Sequence, residues 1–160
     1  MGKKILYLGL GLVIGGVVAK EIINNQYENK ISYIRAISEK HFRMFLLMNQ
    51  WVENKQKGFH LEEYFKRKNI RSVAIYGMSY IGQRLYDELK GSGIEIKYAI
   101  DKNMKGIYSE IDIYQSLDDL PQVDAIVVTA CYYYGDIEKE LRLKTNNAII
   151  SLEDVVYKLG

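Results

Sequence analysis

The stretch from Val73 to Asp101 constrains this chain more than any other part of it. Four apolar residues, Val73-Ala74-Ile75-Tyr76, run into Gly77-Met78-Ser79-Tyr80-Ile81-Gly82, and a helical pattern from Ile81 to Lys90 ends at Gly91-Ser92-Gly93. A second apolar run, Glu95 to Ile100, then stops at Asp101, twenty-four residues after Gly77. Strand, glycine turn, helix and a second strand tipped by a carboxylate form the unit that binds nucleotides in many α/β proteins, with the acid placed for ribose hydroxyls.

Each position of the turn has a definable role. Gly77 permits a tight turn, and Gly82 lets the helix approach the strand closely. The helix start offers unpaired N–H groups and a positive dipole end to a phosphate. The usual middle glycine is replaced by Ser79, whose CH2OH narrows the cradle but adds a hydrogen-bond donor, and Tyr80 adds bulk beside it. The candidate cofactor-binding set is therefore Gly77, Met78, Ser79, Tyr80, Ile81 and Gly82, with Asp101 and Lys102 at the neighbouring strand tip. The same glycines are also what any parallel strand-to-helix connection requires, and Asp101-Lys102-Asn103 is also good turn chemistry.

The alternation continues. Glu110–Tyr114 reads as a short third strand, Ser116–Leu120 as a helical turn stopped by Pro121, and Ala125–Thr129 as a buried fourth strand. Asp136–Leu143 reads as a helix and Ala148–Ser151 as a fifth strand before a last helical turn. Near-continuous apolar strands fit a parallel sheet covered on both faces. The right-handed crossover rule then predicts a half-Rossmann α/β fold, a parallel five-stranded sheet of order 3-2-1-4-5. Ligands of such sheets bind beyond the carboxyl ends of the strands at the switch point, which adds Thr129 and Ala130 to the candidate set. Cys131 borders the same crevice, but no histidine is placed to activate it, and a small buried thiol is the simpler role. Tyr132, Tyr133 and Tyr134 either stack a ring there or cover the crevice.

Upstream, Ile5–Ala19 is free of charge and flanked by Lys3, Lys4, Lys20 and Glu21. At 1.5 Å per residue these fifteen residues cover roughly 22 Å of a ~30 Å hydrocarbon core, so a membrane span needs Ile22 and Ile23 as well. The expectation is a single-pass anchor over residues 5–23. The excess of basic residues after it places the α/β domain in the cytoplasm. A dinucleotide loop at Gly9, Gly11 and Gly15, a cleaved signal peptide and a buried helix compete with the anchor. Gly11 and Gly15 could pair two copies.

From Tyr27 to Lys57 there is neither proline nor glycine, and Ile31, Ile34, Phe45, Met48 and Val52 recur at helical spacing, widened by Ile37, Phe42 and Trp51. This predicts a long helical stalk whose stripe packs on the chain's own domain or, with Ser38 and His41 in the seam, on a second copy. A shorter helix, Leu61–Lys68, leads into the first strand. The expected organisation is an anchor segment over 1–23, a stalk with connecting helix over 24–69 and the α/β domain over 70–160.

The chemistry classes narrow quickly. A formal charge of +2 is too small for a general phosphate-binding surface, so nucleic acid is not an expected partner. One cysteine excludes an intramolecular disulfide, and the two histidines, His41 and His60, stand apart from any ligand-spaced cluster, so no metal site is expected. The Tyr-x-x-x-Lys pattern of short-chain dehydrogenases occurs at Tyr64/Lys68, Tyr86/Lys90 and Tyr98/Lys102, none on a helix after the fourth strand. It supplies no catalytic residues.

The stretch Trp51–Asn103, above all Ile75-Tyr76-Gly77-Met78 and Tyr98-Ala99-Ile100-Asp101-Lys102-Asn103, together with the ending Ile150–Tyr157, resembles a group of small bacterial proteins and appended domains associated with surface-polysaccharide synthesis. The resemblance implies a Rossmann-like domain that binds a nucleotide or nucleotide-sugar. The expected function is thus an anchored accessory protein of cell-surface polysaccharide assembly, with a binding rather than a catalytic role and with NAD(P) or a nucleotide-sugar as ligand. The alternative is a non-catalytic module that docks a glycosyltransferase or assembly partner, its crevice filled by Tyr80 and Tyr132. A homodimer is a further expectation.

Overall fold

A computed structural model of the chain describes the backbone of residues 2–103 and 110–159 and the side chains of residues 20–103 and 110–159. The chain divides into two units, residues 1–42 and residues 43–160. The long helix α1, Gly2–Gln56, contributes to both. In the first unit the described backbone is α1 alone, and the side chains described there are largely exposed.

The second unit is an α/β domain. After the last turns of α1 come α2 (Leu61–Arg67), β1 (Ser72–Tyr76), α3 (Tyr80–Leu89), β2 (Glu95–Ile100), β3 (Ile113–Tyr114) and β4 (Ala125–Val128). A 3-10 turn at Cys131–Tyr133, α4 (Tyr134–Arg142), β5 (Ala148–Ser151) and α5 (Leu152–Tyr157) complete it. The strands form one sheet of order β3-β2-β1-β4-β5, and every pairing in it is parallel. This is the sheet the sequence predicts. Parallel strands need covered faces, and the side chains of β1 show how they are covered. Val73 and Ile75 join a core with α2, α3, α5 and the end of α1. Ala74 and Tyr76 alternate to the other face, joining Ile137 and Leu141 of α4 and the loop residues Leu117 and Val123.

Three local expectations change. The third strand shrinks to Ile113–Tyr114, the Asp112 carbonyl before it accepting from the Ala99 N–H of β2, while Glu110 pairs with Lys90 Nζ and the Tyr86 hydroxyl. Ser116–Leu120 forms no helix: Ser116 Oγ accepts from the Asp118 N–H, and Asp119 takes a left-handed φ of 57° just before Pro121. In the second unit α1 buries Trp51 of the widened stripe together with Leu47 and Asn54, and Met48 packs against the same core, whereas Phe45 and Val52 stay exposed. Specific polar partners hold that face. Trp51 Nε1 donates to Glu88 Oε2 at 2.6 Å, and Asn54 Nδ2 donates to the Val156 carbonyl at 2.7 Å. Glu88 also accepts from the Leu61 N–H and pairs with Lys55, so one carboxylate joins α1, α2 and α3.

The single-pass membrane localisation, with the α/β domain in the cytoplasm, is corrected. Among the described residues no helix is long and apolar enough to cross a membrane. The uncharged run of fifteen residues falls short of the ~20 a helix needs, and Lys20 and Glu21 follow it directly. The side chains of Ile5–Ala19, including the Gly11/Gly15 pair, lie outside the described residues.

Candidate functional site

The predicted site residues gather where β1, β2 and β4 end. β1 delivers the chain into Gly77, whose φ of +95° suits glycine alone, and whose N–H donates to the Ile100 carbonyl of β2 at 2.8 Å. A Cβ at Gly77 would stand 2.8 Å from Thr129 Oγ1. That hydroxyl donates within reach of both the Gly77 carbonyl, at 2.7 Å, and the Tyr76 carbonyl, at 3.1 Å. Thr129 is thus the pin that holds the turn against β4.

Gly82 is required for a stronger reason. A Cβ there would fall 2.0 Å from the Gly77 carbonyl oxygen, so α3 rests directly on the turn that precedes it. Met78 and Ile81 point inward and are buried. Ser79 is the N-cap of α3 with extended backbone, φ −67° and ψ −169°, yet its side chain makes no capping hydrogen bond. The first turn of α3 therefore lacks the serine cap its sequence offers. Tyr80 follows at 87% exposure and fills no crevice.

Asp101 turns toward this loop. Its Oδ2 accepts from the Met78 N–H at 2.8 Å and its Oδ1 from the Asn103 N–H at 2.8 Å. Both oxygens keep acceptor capacity beyond these bonds. Lys102 is directed elsewhere, its Nζ donating to both Glu140 oxygens at 2.7 and 2.9 Å. That pairing, foremost, holds its ammonium pKa above the ordinary lysine value. Burial raises the pKa of the neighbouring Tyr76 phenol. Glu140, thirty-eight residues beyond Lys102, carries no sequence signal that would have joined it to the site.

Ala130 follows Thr129 at the same edge, half-buried. Cys131 is partly buried, its Sγ 3.7 Å from the Val128 carbonyl, and burial pushes its thiol pKa up, which is the opposite of nucleophile activation. The ring of Tyr132 packs edge-on against Tyr133 at 5.1 Å between centroids. Of the Tyr-x-x-x-Lys pairs, Lys68 and Lys90 lie over the Tyr64 and Tyr86 rings at 5.4 and 5.7 Å, as ordinary cation–π contacts. Among the described residues no group of three His, Cys, Asp or Glu side chains could hold a metal ion. A shallow groove of about 700 Å³ lies away from this edge, around the starts of β1, β4 and β5, lined by Arg67, Asn69, Asp124 and Ala148 among others.

The arrangement joins an uncapped helix start, a carboxylate on the adjacent strand tip and a free aromatic ring. Comparison with family models, with curated proteins and with solved structures returns no match.

Proposed function

We propose that the edge formed by Gly77–Gly82, Asp101, Thr129 and Ala130 binds the diphosphate and ribose of a nucleotide-sugar or of NAD(P), and that the protein serves as a binding accessory in bacterial surface-polysaccharide assembly. One observation carries this reading: the hydrogen bond from the Met78 N–H to Asp101 Oδ2, 2.8 Å long, which fixes the carboxylate beside the open start of α3. A phosphate placed on that start would meet unpaired N–H groups and the positive end of the helix. Ribose hydroxyls would then donate to the acceptor positions Asp101 retains. The polysaccharide setting rests on the resemblance of Trp51–Asn103 and Ile150–Tyr157 described above.

The test is calorimetric titration of the full chain with NAD, NADP and UDP-sugars. Saturable binding is expected for at least one of them, weakened roughly tenfold or more by Asp101→Asn, which keeps the side chain's shape but removes its charge. Absence of binding at millimolar ligand would sink the reading. That outcome would favour the docking alternative, for which the exposure of Tyr80 speaks, since an aromatic ring left in water is a usual anchor of protein interfaces.

A further inference from the structure

The first unit poses a separate problem. Residues 20–42 of α1 leave Tyr27, Ile31 and Ile34 exposed to water, each by at least two fifths of its surface. An apolar row on a lone helix gains nothing from solvent, and a helix is stabilised mainly by packing its apolar face.

The spacing of this row is that of a helix pair. Asn24, Tyr27, Ile31, Ile34, Ser38 and His41 follow alternating steps of three and four, the a and d positions of successive heptads. The row is also self-complementary. If it is laid against its own copy in the opposite direction about a two-fold axis midway between Ile31 and Ile34, Ile31 meets Ile34 twice at the centre. Tyr27 then meets Ser38 on either side, and Asn24 meets His41 beyond. Apolar layers match apolar layers, and each polar group faces one that can hydrogen-bond it.

The flanking charges choose the direction. In the antiparallel pair Glu28 of one helix lies beside Arg35 of the other, and two-fold symmetry repeats the attraction. A parallel, in-register pair would instead set Lys30 beside Arg35 twice, like against like. We infer that residues 24–41 of α1 associate with a second copy of this chain as an antiparallel helix pair, with Ile31 and Ile34 at its centre and Glu28–Arg35 ion pairs on its flanks. This is independent of any ligand at the sheet edge.

Sedimentation equilibrium of the full chain at low ionic strength tests it. Wild type forms dimers. Arg35→Glu sets four acids in two facing pairs and raises the dimer Kd about tenfold, and the exchange Glu28→Arg with Arg35→Glu returns it to near the wild-type value. Far-UV circular dichroism confirms that each variant keeps its helix content. A monomeric wild type overturns the inference. So does tighter association on Arg35→Glu, the result a parallel pair would give because Lys30 would gain an opposite charge, or an unchanged Kd across the series.

Discussion

Replacing Gly82 with alanine puts the close approach of α3 to its turn under direct test. Elsewhere in a helix the change is favourable, since alanine outranks glycine by about 1 kcal/mol. Here the added carbon would sit 2.0 Å from the Gly77 carbonyl oxygen. Carbon and oxygen make contact at ~3.3 Å or more, so α3 or the turn has to move by more than an ångström. Neither moves freely: Gly77 is tied to Ile100 and Thr129, and Ile81 and Leu85 of α3 are packed in the core. Overpacking of this kind costs about 3 kcal/mol. Less the propensity gain, the net loss is about 2 kcal/mol, or roughly 10 °C in Tm for a domain of this size. Gly135, in the first turn of α4, is the control, since a Cβ there meets nothing within 4 Å. Gly135→Ala should be neutral to stabilising by up to about 1 kcal/mol. Thermal unfolding followed by circular dichroism reads both variants. A Gly82→Ala protein as stable as wild type would refute the contact.

Three further outcomes follow from named bonds. Thr129→Val removes the hydroxyl that donates to the Gly77 and Tyr76 carbonyls and should cost about 1–2 kcal/mol in urea unfolding, with Thr129→Ser retaining most of the stability. Trp51→Phe deletes the donor to Glu88 Oε2, leaves a nearly buried carboxylate short of a partner and should cost about 2 kcal/mol, again by urea midpoint. Tyr98, buried and donating to the Pro121 carbonyl, has its phenol pushed up to about 12 by burial. A raised pKa means that the folded state holds the proton more tightly. Its contribution is therefore fully present below the unfolded value near 10 and is lost as pH climbs through 12. Tyrosinate absorbance should show unfolding and Tyr98 ionisation together in that interval, and a Tyr98→Phe variant should lose less stability across it.

The sheet was legible because the strands of an all-parallel sheet are nearly pure apolar runs. Val73–Tyr76, Ala125–Thr129 and Ala148–Ser151 admit few other interpretations once a glycine turn and a helix separate them. The meeting of Asp101 with the glycine turn was legible too, since strand order and the length of the intervening helix fix it. What escaped was governed by single polar contacts. Counting apolar residues on α1 selects Phe45 and Val52 along with Met48 and Trp51, whereas the domain covers only the latter two and adds Asn54, held through the Val156 carbonyl, as Trp51 is through Glu88. The grip of Glu140 on Lys102 likewise depends on where α4 sits against the sheet, which no local pattern encodes. The serine at the third position of the turn reads as a natural cap, yet its side chain does not take that part.

The bond from Asn54 to the Val156 carbonyl spans 102 residues. Beside it, Arg67 holds the Lys158 and Leu159 carbonyls, and Leu152, Val155, Val156 and Leu159 complete the core beneath α1. A nascent chain that has released four strands from the ribosome would therefore still expose the lower faces of α1, α2 and β1. Closure would wait for the emergence of Leu159, and until then those faces would be the natural grip for a chaperone.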